Sequence, residues 1–129
     1  VETCFGVSIM TVYVKEKTKN IIEGVEAIKR AMIADYGAWI DRPNESKDAR
    51  NIALRMWDEY ADSFTVEYNN KYVKISANNS VLGFIVAVDN DKKFKKGDIL
   101  KPAGWKAPAR NFARGNVFDG GYEIQWTGA

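Results

Sequence analysis

Between residues 92 and 114 the chain carries eight lysines and arginines against a single acid, Asp98, and its aromatic side chains include Trp105 and Phe112. Cations at this density attract phosphates and other anions. Arginine grips a phosphate through paired, charge-assisted hydrogen bonds, and an aromatic ring gives a nucleobase a face to stack on. Gly104 and Gly115 would let a ligand approach the backbone closely. The candidate ligand-binding residues are therefore Lys101, Trp105, Lys106, Arg110, Asn111 and Arg114. Both arginines lie in a stretch bounded by glycine and proline and are expected to serve a ligand rather than the fold. The competing reading is structural: Trp105 and Phe112 plug the open end of a sheet, and the lysines keep an edge strand from pairing with another chain.

Groups that usually carry catalysis are scarce. The chain has no histidine, so acid–base chemistry would fall to Asp, Glu, Lys, Tyr or Cys4. No Walker A loop, strand-borne GxGxxG, GxSxG elbow, HExxH or EF-hand loop is present. Cys4, the single cysteine, has no internal disulfide partner and no histidine with which to form the usual zinc site. Asp89-Asn90-Asp91 has the look of a calcium loop, but lysines follow where ligands are needed, and a solvated turn is expected. Asp98 and Asp119 are expected to fix turns through local hydrogen bonds. The expectation is a protein without catalytic residues, cofactor or metal.

The elements that must position the basic stretch follow from periodicity. With 129 residues, 46% hydrophobic and 28% charged, the chain has the size and balance of one domain, residues 1–129. Ile21, Val25, Ile28 and Met32 recur at helical spacing, and Ile22, Ile33 and Tyr36 widen the stripe, predicting a helix over about 20–39. Asn20 with Glu23 has the form of a capping box, and Gly37 with the run at 41–44 is expected to end the helix. A second helix is predicted over about 46–62, with Ala49, Ile52, Ala53, Met56 and Tyr60 on one face and Asn44 or Ser46 as cap. Trp39, Trp57 and Tyr60 are expected in the core of this helical hairpin.

From residue 64 the period becomes two. Strands are predicted at 64–68 and 71–75 around Asn69-Asn70, at 81–88, at 98–100 and at 122–126. The apolar run 81–88 reads as a central strand covered on both faces. Pro102 and Pro108 bar a central strand between them, leaving 103–121 as a long loop. The fold class is α+β: an N-terminal helical hairpin packed on a C-terminal antiparallel sheet of about four to five strands. Residues 1–9 keep two readings, a translated leader ahead of Met10 or a short strand in which Phe5, Val7 and Ile9 alternate with Gly6 and Ser8. No membrane span or export signal is expected.

Lys95-Lys96-Gly97-Asp98-Ile99-Leu100-Lys101-Pro102-Ala103-Gly104-Trp105-Lys106-Ala107-Pro108-Ala109-Arg110-Asn111, followed by Ala113-Arg114-Gly115-Asn116-Val117 and Trp126-Thr127-Gly128, resembles a family of small uncharacterised proteins of tailed bacteriophages. The likeness covers mainly residues 81–128 and brings no activity or site residues with it. It implies the cytoplasm of an infected bacterial host, which also suits a lone cysteine. In that setting the expected function is anti-defence: binding and sequestering a phosphate-bearing nucleotide signal without catalysis. A nucleic-acid-binding protein using 92–114, and a direct protein inhibitor of a host factor, are the alternatives. A homo-oligomer stays open.

Overall fold

The computed structural model describes residues 12–40 and 46–128. Both readings of residues 1–9, the helix stop at 41–44 and the Asn44 cap fall outside them. The element order is β1 (Val12–Val14), α1 (Ile21–Ile40), α2 (Lys47–Asp62), β2 (Thr65–Tyr68), β3 (Tyr72–Ala77), β4 (Ser80–Val86), β5 (Asp98–Leu100), β6 (Gly115–Asn116) and β7 (Tyr122–Ile124). Strands β2-β3-β4-β5-β6 form an antiparallel five-stranded sheet in that order. The α+β class stands, with two corrections inside it. The last strand does not complete the main sheet: β7 pairs with β1 in a separate two-stranded ribbon, Val12 opposite Ile124 and Val14 opposite Tyr122. The fifth strand is instead β6, two residues within what the prolines marked as loop.

Helix α1 buries Val25, Ile28, Ala31, Met32 and Tyr36 as its spacing requires, while Ile22 lies outside the stripe and is exposed. The Asn20 side chain accepts from the Glu23 amide at 2.9 Å, and the Glu23 carboxylate accepts from the Lys19 amide at 3.1 Å, one residue ahead of the standard box. Helix α2 is capped by Ser46, whose hydroxyl accepts from the Ala49 amide. Its packing face matches the predicted one only in part. Ile52 and Met56 are exposed, and Ala53, Trp57 and Tyr60 face the core. Gly37 does not help end α1 but lies inside it, and it decides this packing: a β-carbon there would meet the Trp57 indole at 2.7 Å, so only glycine admits the ring between the helices. The Trp57 Nε1–H then donates to the Ile33 carbonyl at 2.8 Å.

Trp126 is drawn into the same cluster. Its ring lies 4.7 Å from Tyr36 and 5.1 Å from Trp39, its carbonyl accepts from Tyr60 Oη, and its amide donates to Asp35 Oδ2, both at 2.8 Å. Burial pushes the Asp35 carboxyl and the Tyr60 phenol above their ordinary pKa values, with the backbone bond to Trp126 opposing the shift at Asp35. No helix among the described residues is long and apolar enough to cross a membrane.

Alternation splits the main sheet into two apolar faces. Val73, Ile75, Ala77, Leu82, Ile85 and Ile99 share one core with α1. Phe84, Val86 and Leu100 point the other way and form a second core with Phe94, which belongs to the basic stretch. The expected two-sided burial of β4 is thus met, helices on one face and the basic stretch on the other. Asn78 and Asn79, with φ of 51° and 61°, form the tight β3–β4 turn; the Asn69-Asn70 connection has no positive φ. Phe84→Ala should lower stability by about 3–5 kcal/mol, the cost of an unfilled core site, in urea titrations. An unchanged midpoint would contradict the second core.

Candidate functional site

On the sheet face opposite the helices, β3 presents Tyr72 and Lys74, β4 presents Phe84, and Glu67 of β2 stands across from Lys74. Above them residues 102–108 make a narrow flap. Its neck is the Pro102–Pro108 bridge, closed by the Ala103 and Gly104 amides donating to the Ala107 carbonyl and the Ala109 amide donating to the Lys101 carbonyl. Trp105 sits at the tip, half exposed, 4.3 Å from its ring centre to Lys74 Nζ. Lys74 is 6% exposed, a rare position for a lysine. Its ammonium has Trp105 on one side and Glu67 Oε2 at 3.9 Å on the other, a loose ion pair. Together with Asn69, Lys71 and Lys106 these side chains line a groove of about 420 Å³.

A second groove of about 480 Å³ is lined by Asn70, Lys71, Val88, Asn90, Asp91, Lys92 and Arg110. Its floor is a clamp. The Asp91 carboxylate, with its side chain 2% exposed, accepts from the Lys93 and Phe94 amides at 2.8 and 3.0 Å and from Arg110 Nη2 at 2.8 Å. Arg110 Nη1 donates to Tyr72 Oη at 2.6 Å, and the guanidinium lies 4.9 Å from the Phe94 ring centre. Lys93 Nζ donates to the Arg110 carbonyl at 2.7 Å. The guanidinium hydrogen bond first, then the two amides, hold the Asp91 carboxyl far below the usual carboxylate range, and Asp91 in turn raises Arg110.

Arg114 lies in neither groove. Its guanidinium stacks 4.1 Å from the exposed Phe112 ring, its Nε is buried without a hydrogen-bond partner, and it lines a third groove of about 470 Å³ with Tyr13, Gly121, Tyr122, Glu123, Gln125 and Gly128.

The six sequence-derived candidates are therefore dispersed. Trp105 and Lys106 share the first groove, Arg110 belongs to the clamp beneath the second, and Arg114 belongs to the third. Lys101 and Asn111 are exposed, and the Asn111 side chain accepts from the next residue's amide. Arg110 thus holds Asp91 and Tyr72 in the fold while also lining the second groove. Trp105 and Phe112, each 54% exposed, do not plug the sheet. Asp98 does hold a turn, accepting from the Lys95 amide and from Asn116 Nδ2. The residues missed are Lys71, Tyr72 and Lys74, masked by their place in an ordinary alternating strand, and Asp91. The last had a local signal: an aspartate followed two and three residues on by free amides is an Asx turn.

No family model, curated protein sequence or solved structure matches the chain.

Because the Asp91 carboxyl titrates below its unfolded value of about 3.9, its stabilisation is present above that pH and is lost as pH falls toward the folded value. Asp91→Asn should melt lower than wild type at neutral pH, and the gap should narrow steadily below about pH 4 in melts followed by circular dichroism. A gap that is absent at neutral pH, or that does not change on acidification, would contradict the clamp.

Proposed function

We propose that the protein binds a phosphate-bearing nucleotide in the groove beneath Trp105 and holds it without turnover. The observation that carries this reading is the convergence of Lys71, Lys74 and Lys106 on one aromatic-capped groove in which Glu67 is the acid. Trp105 supplies a face for the base, since half its surface is open and its ring is already oriented by the Lys74 ammonium. Lysines at the rim supply charge for the phosphate, and the volume is that of a small-ligand site. Capture rather than catalysis is favoured because the groups present bind anions and bases, and the chain has no histidine. In an infected bacterial cell, the setting that the phage likeness implies, such capture would sequester a host nucleotide signal.

A thermal-shift panel of mononucleotides, cyclic dinucleotides and short single-stranded oligonucleotides tests this, since a ligand of the native state raises the melting temperature by mass action. Trp105→Ala should weaken the responding nucleotide by roughly 1–3 kcal/mol, and Lys106→Ala should weaken it as well. Arg114→Ala, which alters the third groove, should leave affinity unchanged. No response across the panel, or full affinity in Trp105→Ala, would overturn the reading. A steep salt dependence confined to oligonucleotides would move it to nucleic acid.

A further inference from the structure

Lys71 lines both grooves on this face of the sheet. Between them runs a ridge made by a single hydrogen bond: Tyr72 walls the first groove, Arg110 walls the second, and Arg110 Nη1 donates to Tyr72 Oη at 2.6 Å. The Lys71 ammonium lies 5.5 Å from the Tyr72 ring centre and 4.0 Å from Asp91 Oδ2, with its side chain 57% exposed. It crowns the ridge and is only loosely paired.

The two sides differ in chemistry. The first offers Trp105, Lys74 and Lys106. The second offers the amides of Asn70 and Asn90 beside Val88, groups suited to the polar edge and flat face of a base or to ribose hydroxyls. Its carboxylate, Asp91, is saturated by two amides and Arg110. A phosphate deep in the second groove would face that carboxylate, whereas one on the ridge meets Lys71, with Lys92 and Lys106 in the linings to either side. The favourable arrangement is phosphate at the centre and a nucleoside in each groove.

We infer that the ligand is bipartite: two nucleoside units joined through phosphate, one stacked under Trp105, the other against Asn70, Val88 and Asn90, with the linking phosphate at Lys71. This rests on the nucleotide reading of the first groove and adds the second groove to it. A mononucleotide fills one side only. Joining two units makes the second engagement intramolecular, so a dinucleotide binds more tightly without any new kind of contact.

Calorimetric titration of the full chain with AMP and with the dinucleotide pApA separates the cases. The dinucleotide should bind roughly 10- to 100-fold more tightly than AMP. The double substitution Asn90→Ala with Lys92→Ala, both exposed positions, should bring pApA down to near the AMP affinity and leave AMP itself unchanged. Trp105→Ala should weaken both probes. Equal affinities for AMP and pApA, or a double variant that loses AMP and pApA alike, would overturn the bipartite inference while leaving nucleotide binding in place. Affinity that keeps rising to an oligoadenylate of about ten nucleotides, with a steep salt dependence, would replace it by a nucleic-acid track. Failure of both probes to bind would overturn the nucleotide reading and this inference together.

Discussion

A buried carboxylate must be paired, and the pairing of Asp91 organises the half of this protein that carries its candidate site. Asp91 gathers two amides of its own turn and the Arg110 guanidinium, and Arg110 reaches on to Tyr72 of the central sheet. One acid thereby ties residues 91–94, residue 110 and strand β3 into a single connected set. Phe94 is carried by that turn into contact with Phe84, Val86 and Leu100. A segment of +7 formal charge over residues 92–114 would otherwise repel itself off the surface. Here it closes the second face of a sheet whose first face is closed by α1.

The same arrangement places the site. Once residues 91–94 and 110 are held, the flap at 102–108 has both ends fixed, by the clamp on one side and by β5 on the other, and Trp105 lies over Lys74. Lys74 belongs to a strand that would bury an apolar residue if packing alone decided its identity. A lysine there requires partners, and it has an aromatic face and one loosely held carboxylate. Surplus positive charge in a half-enclosed groove lowers the cost of bringing in a phosphate, since an incoming anion gives that charge a partner. The apparent defect of the strand is the feature that gives the groove its chemistry.

Much of the architecture was legible from period and punctuation. The α1 stripe, the Ser46 cap and the two-sided burial of β4 follow from local pattern. The departures arise where distant residues decide. The packing face of α2 turns on Gly37 admitting Trp57 across 20 residues of chain. Strand β6 has two residues and no period to read, and β7 finds its partner in β1 at the far end of the described chain rather than in the main sheet. The basic stretch was recognisable from composition, but not its internal division. Nothing local says that Arg110 pairs with Tyr72, 38 residues earlier, while Arg114 turns to Phe112 in a separate groove. Nor does sequence reveal that Lys74 of β3, not the arginines, faces Trp105 of the flap.

The central claim is that the basic stretch is an integral layer of the fold, held by Asp91. Hydrogen exchange followed by mass spectrometry, comparing wild type with Asp91→Asn, tests it most directly, because local opening is read segment by segment. The account predicts faster exchange across residues 92–114 in the variant, with α1 and the β3–β4 hairpin protected as in wild type. Unchanged exchange across 92–114, or an equal rise throughout the chain, would contradict it.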